Sequence, residues 1–359
     1  MPMHLLNPHS AFRIPQLSWC LGVLVVSALV VPLRAQVPPD VQTLIRQAQQ
    51  DRDQRKLAEA ETELKQALQL DERNKLAREA LVDVLMRQGR WNEAVSNVQL
   101  LRLYFPQNGD VAFLAAAVAF RTGQFPLASK LAAECLSRGD HRAEVYKILA
   151  LSRFMLNDYE GFKINISALL ARNPDDADAH YHLGRYNYEV KNYVEGINAF
   201  KKTVQLDPDY FKAYYFMALC LQAGGDPDES KKNFRKAIEI IERKKIAYGW
   251  PFADLGELLV GEGRYEDGLG WLYRGIRNDS GLPYTHFKYA SALLKKEESS
   301  EIEGELQSAI RLDPNYAEAY YLLGRYYNKI NDREKAQAAF AKFDQLKKNP
   351  QPSPFGVRR

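Results

Sequence analysis

The stretch ADAHYHLGRYNYEVKNYVEGINAFKKTVQLDPDY, residues 177–210, decides the fold. Between Ala177 and Val190, the residues His180, Leu183, Gly184 and Asn187 recur at steps of three, one and three, which marks one face of a helix. Asn192 and Tyr193 break the run. Gly196, Phe200, Thr203 and Val204 then share one face of a second helix. Asp207-Pro208 stops it, because proline lacks an amide donor and pushes the preceding residue out of helical space. The unit is helix, turn, helix, turn. Gly184 opposite Gly196 lets the two backbones come close. A lone two-helix hairpin cannot bury both its faces, so it needs neighbours.

The neighbours are in the sequence. A period of about 34 residues leads forward from Ala177 to Phe211, where Met217, Ala218, Ser230, Phe234, Ala237 and Ile240 fall in matching slots. Stepping back gives units that start near Ala143, Gly109, Lys75 and Val41. After Phe211 the register slips by about one helical turn and resumes near Gly249, Pro283 and Ala317. The second helix before the slip reads as extended, from Ser230 to Tyr248. About nine units cover 41–350 at this period.

The slots carry a pattern: a large residue, Leu-Gly, an aromatic, a turn glycine, an aromatic, alanine, an aromatic, alanine, proline. Its clearest copies are Tyr320, Leu323, Gly324, Tyr327, Ala336 and Phe340, and Gly89, Trp91, Ala94 and Pro106. This pattern resembles the tetratricopeptide repeat family. The resemblance covers nearly the whole chain after residue 40. It implies an all-α, right-handed superhelical solenoid of about nine helix-turn-helix repeats, with a concave face built mainly by the first helix of each repeat. It implies no reaction.

The N-terminus reads differently. Residues 17–33 (LSWCLGVLVVSALVVPL) are apolar, Arg13 precedes them, Pro32 and Arg34 end the run, and the small Ala35 comes next. This is the layout of a secretory signal peptide over 1–35, with 36–40 as a short linker. The alternative is an uncleaved anchor at 17–33, although the run is shorter than the ~20 apolar residues a span prefers. The expected location is extracytoplasmic, periplasmic or secreted, or else the inner membrane. Residues 351–359 read as a disordered, Pro-rich tail.

Composition narrows the function further. The chain has 49 basic and 45 acidic residues; without Arg13 and Arg34 the basic count is 47, close to neutral. That balance argues against a nucleic-acid partner. Cys135 and Cys220 lie almost three repeats apart and read as small buried fillers. No catalytic template fits: Gly261-Glu-Gly263-Arg is a repeat turn, and no HExxH or Gly-x-Ser-x-Gly occurs. His180 and His182 point apart on one helix, the first toward packing and the second toward solvent. Asn165-Ile-Ser167 and Asn278-Asp-Ser280 match the glycosylation sequon. No enzyme activity, metal or cofactor is expected.

The family resemblance also implies which residues face the groove: the second, fifth, ninth, twelfth and thirteenth of each first helix. Those positions hold Phe113, Phe120, Lys147, Phe154, Tyr181, Arg185, Tyr188, Tyr215, Tyr284, Phe287, Tyr321 and Arg325, with Trp250 at a second position. Aromatics at positions the fold does not demand suggest a binding face. Tyr181 and Arg185 are expected to stand clear of the core. Cytosolic members that bind acidic chain ends use paired Lys and Asn at the fifth and ninth positions. Here Lys147 is followed by Leu151, so that function is not implied. The leading expectation is an exported, non-enzymatic scaffold that binds peptide segments or partner proteins. Alternatives are a membrane-anchored assembly factor of an envelope or secretion complex, and a glycan-binding groove.

Overall fold

The computed structural model describes residues 40–296 and 301–348. The expected signal or anchor segment, most of the linker and the tail lie outside them. Among the described residues there are eighteen helices and no strand, paired as nine helical hairpins. No helix among them is long and apolar enough to cross a membrane.

The chain divides into two compact units, before and after Pro174. The first holds α1 (Val41–Asp53), α2 (Leu57–Leu70), α3 (Lys75–Arg87), α4 (Trp91–Tyr104), α5 (Gly109–Arg121), α6 (Phe125–Ser137), α7 (Ala143–Met155) and α8 (Tyr159–Arg172). The second holds α9 (Ala177–Glu189), α10 (Tyr193–Leu206), α11 (Phe211–Ala223), α12 (Pro227–Lys244), α13 (Trp250–Gly261), α14 (Tyr265–Asn278), α15 (Pro283–Lys296), α16 (Ile302–Leu312), α17 (Ala317–Lys329) and α18 (Arg333–Lys348). Odd-numbered helices are the first of each pair.

Local chemistry sets the ends. Four first helices begin at an Asp or Asn whose side chain accepts a free amide of the first turn: Asp40 from Thr43, Asn74 from Ala77, Asn108 from Val111 and Asp176 from Ala179. α10 stops at Leu206, before Asp207-Pro208. In the eight pairs whose inner turn is described, one repeated slot takes a left-handed residue. Gly89, Gly123, Gly225 and Gly263 fill it, as do Asn157 and Asn331, and also Arg55 and Lys191, all with φ between 60° and 85°.

Small residues bring paired helices together. A Cβ at Gly184 would lie 2.6 Å from the Phe200 ring, and one at Gly196 would lie 3.5 Å from the Gly184 carbonyl. Gly256 and Gly268 approach closer still, each placing a would-be Cβ 2.8 Å from the other's carbonyl oxygen. Alanines 60, 94, 128 and 336 serve the same role and are buried. Leucine, isoleucine and phenylalanine fill the layers between, with Phe162, Phe200, Phe234 and Phe252 wholly buried. At the last pair, Lys335, Gln337, Gln345, Lys347 and Lys348 are exposed, giving α18 a polar outer side.

Two expectations change here, and the mid-helix sequon match stays a chance one. α12 ends at Lys244 rather than Tyr248. Lys245 takes a left-handed cap at φ 53°, and residues 245–249 form a loop. The two histidines exchange roles: His182 is buried and His180 half-buried, because α9 buries neighbours on two sides. Asn165 is buried inside α8 and donates to the Gly161 carbonyl at 2.6 Å, so its sequon match is structural.

Candidate partner-binding face

The expected groove residues fall in both units. In the first, Phe113 lies under the Arg142 guanidinium at 4.4 Å. Phe120 is buried against Phe125. Phe154 packs within its own pair, 5.2 Å from the Phe162 ring. Lys147 is half-buried on α7.

In the second unit, Tyr181, Arg185 and Tyr188 do come together, around Phe216 of the next pair. The Arg185 guanidinium sits 4.0 Å from the Phe216 centroid, with the Tyr181 ring at 6.1 Å and Tyr188 at 5.7 Å. Arg185 also donates to the Tyr181 hydroxyl at 3.3 Å. This cluster is core, contrary to expectation: Tyr181 is 3% exposed and Phe216 1%. Tyr215 is a second correction, with no exposed surface. The loop after α12 lays Tyr248 over it, ring centroids 5.9 Å apart.

Partly accessible aromatic surface continues on α13 and α15. Trp250 and Tyr284 hold the same slot in successive pairs, and their rings stack at 4.7 Å and 28°. Both are half-buried. The stack is braced from beneath. Asp254, 3% exposed, accepts the Tyr215 hydroxyl on Oδ2 at 2.8 Å and the Tyr284 hydroxyl on Oδ1 at 3.0 Å. Glu257 Oε2 lies 3.4 Å from the same Tyr284 hydroxyl, and Glu257 Oε1 accepts from Lys288 Nζ at 2.5 Å. Lys288 Nζ in turn sits 5.1 Å from the Tyr284 ring centroid. One carboxylate thus joins three successive first helices, and it holds a ring pair with a cation and an anion at its edge. Phe287 pairs with Tyr316 at 5.1 Å on the same face, and at its far end Tyr321 is 44% exposed beside Phe343. Arg325 is exposed one turn along α17.

Asp254 had a weak sequence signal: a lone acid inside the otherwise apolar WPFADLG. It holds none of the groove positions that the family resemblance implies.

Cys135 and Cys220 are buried free thiols. Burial pushes Cys135 up to about 11 and Cys220 up to about 12, so neither is a ready nucleophile. Among the described residues no cluster of His, Cys, Asp and Glu is arranged to hold a metal.

Four family models, each described as a tetratricopeptide repeat, match residues 51–107, 165–211, 211–243 and 305–338. Over these segments the chain matches that repeat family, and the nine helical hairpins agree with it. Among curated relatives, tetratricopeptide repeat protein 37 of Xenopus laevis is 23% identical over 67% of this chain and 16% of its own length. Anaphase-promoting complex subunit 3 of Schizosaccharomyces pombe is 20% identical over 64% of this chain and 34% of itself. TPR repeat-containing protein YpiA of Bacillus subtilis is 28% identical over 39% and 32%. The chain therefore spans a third or less of most of these relatives' lengths. Among solved structures, YrrB, titled a TPR protein with an unusual peptide-binding site, aligns at TM-score 0.40 and 21% identity, covering 52% of this chain and 93% of that one. Yeast Tom70 aligns at 0.46 and 15%, covering 87% and 86%.

Proposed function

We propose that this protein is an exported, non-enzymatic scaffold whose first-helix face on α13 and α15 binds extended peptide segments of partner proteins. The observation that carries this reading is the Trp250–Tyr284 stack held on Asp254. Rigid aromatic rings lose little entropy on binding and supply large contact area. Lys288 and Glu257 beside them offer a donor and an acceptor to a peptide backbone. Export is supported by the apolar run 17–33 with Ala35 after it and no acid before it.

The binding reading is tested by selecting a random peptide library on the full chain and measuring the enriched peptides on Trp250→Ala and Lys288→Ala. Enriched peptides should bind both variants at least about thirtyfold more weakly, the loss expected at a hot spot. Equal affinity for wild type and both variants refutes it. Export is tested by N-terminal sequencing of the protein from the extracytoplasmic fraction: a start near Gln36 supports it, and a retained Met1 in membranes identifies an anchor instead.

A further inference from the structure

The loop between α12 and α13 is where the repeat register slips, and it carries Tyr248 directly into α13 at Trp250. A loop of this kind, with free backbone groups at its middle, has no helical ladder to fix it. Two side chains at the end of the next pair supply bonds to it, and Asn278 supplies two of the three. Asn278, the last residue of α14, accepts the Tyr248 amide on Oδ1 at 2.9 Å and donates from Nδ2 to the Ile246 carbonyl at 3.0 Å. Asp279 Oδ2 accepts the Gly249 amide at 3.4 Å. The amide of Asn278 thus mimics a strand partner: donor to carbonyl, acceptor to N–H, two residues apart. Tyr248 is thereby laid on Phe211 at 5.2 Å and on Tyr215, and the chain enters α13 with Trp250 aimed at Tyr284.

We propose that Asn278 is a positioning residue for the Tyr248–Trp250 segment, and through it for the shape of the α13–α15 binding face. The consequence for binding rests on the peptide-binding reading above; the positioning itself does not. Asn278 lines a surface depression of about 490 Å³ with Glu242, Lys245, Ile246, Ala247 and Arg277, and both polar atoms of its side chain are bonded to the loop backbone. It therefore acts through the backbone it holds, not by touching a ligand. Only an amide meets both demands. An aspartate keeps the acceptor but turns a second acceptor on the Ile246 carbonyl, unless it is protonated.

The test uses the full chain as wild type, Asn278→Ala and Asn278→Asp. Amide exchange at Tyr248 is followed by mass spectrometry. Affinity is measured for a peptide selected on wild type and shown to need Trp250. In Asn278→Ala the Tyr248 amide should exchange about tenfold faster or more, having lost its acceptor, and the peptide should bind about tenfold more weakly. In Asn278→Asp, affinity relative to wild type should be low at neutral pH and recover in acid, as the new carboxyl gains the proton it donates to Ile246. Glu242, Lys245, Arg277 and Asp279 are the charged groups around that carboxyl, and they are common to all three proteins. Wild-type exchange at Tyr248 in Asn278→Ala overturns the positioning role. Fast exchange with unchanged affinity overturns the link to the binding face. If no selected peptide depends on Trp250, the binding reading falls, and the exchange result alone decides the positioning role.

Discussion

The hydroxyl of Tyr215 donates to Oδ2 of Asp254 across 2.8 Å, and neither residue exposes more than 3% of its surface. A carboxylate this buried is costly unless its oxygens are occupied. Each Asp254 oxygen takes a tyrosine hydroxyl from a different neighbour, Tyr215 on α11 and Tyr284 on α15. Stability in a repeat array is a sum of terms within pairs and between neighbours. Here one side chain supplies polar contacts to the pair before it and the pair after it.

Tyr215→Phe should therefore cost about 1.5–3 kcal/mol, the range for a hydrogen bond to a charged group. Asp254→Asn should cost a similar amount. A double-mutant cycle in urea should show coupling between them. Strict additivity would mean that the bond contributes nothing.

The two kinds of helical glycine should respond oppositely. Gly256→Ala would drive a methyl to 2.6 Å from Leu272 Cγ and 2.8 Å from the Gly268 carbonyl, where backbone cannot yield. It should destabilise α13–α14 by about 1–3 kcal/mol. Gly270→Ala meets nothing within 4 Å on the exposed side of α14, and should stabilise by about 0.5–1 kcal/mol. Hydrogen exchange across α13 and α14 reads both; equal signs would show the pairing contact to be misplaced.

Lys191 sits at φ 61° in the slot that Gly89, Gly123, Gly225 and Gly263 fill elsewhere. A side chain there strains against its own carbonyl. Lys191→Gly should raise stability by about 0.5–1 kcal/mol, seen as slower exchange in α9 and α10. A loss of stability would mean that the Lys191 side chain makes a contact worth more than the strain.

His286 gives a pH dependence. Burial pulls its pKa down, but the Glu305 carboxylate at 2.6 Å and the Ser280 carbonyl at 3.1 Å outweigh burial, and the net shift is upward from 6.5. Both ring nitrogens face acceptors, so the doubly protonated ring satisfies both. A raised folded-state pKa adds stability that is complete below the unfolded value and lost as pH rises through the folded one. The α15–α16 pair should loosen as pH climbs past 6.5 and through the raised folded-state value, and His286→Gln should flatten that dependence. Exchange that speeds on acidification instead would reverse the sign.

The repeat fold was readable because its demands recur. Gly184, Gly256 and Gly324 mark the crossings, and Asp207-Pro208 marks a stop. The turn slot was legible where glycine fills it and hidden where Arg55 or Lys191 does, since nothing in those side chains announces a left-handed backbone. The face was harder. Tyr181 packs on Phe200 of its own pair, and Tyr210 and Phe216 of the following repeat close over it. Tyr215 is covered by Tyr248, which arrives from the irregular loop after α12. Burial at such positions depends on the next repeat, so a single unit's pattern cannot reveal it. The Trp250–Tyr284 stack, by contrast, joins two residues in equivalent slots and stood among the groove positions from the start.

The most direct measurement is hydroxyl-radical labelling of side chains in the full chain, with and without a peptide selected on it. A binding face on the first helices predicts that labelling of Trp250 and Tyr284 falls severalfold on binding, while Tyr273, 50% exposed on the second helix α14, is unchanged. Protection of Tyr273 with Trp250 and Tyr284 unaffected would place the partner on the opposite face and contradict the proposal.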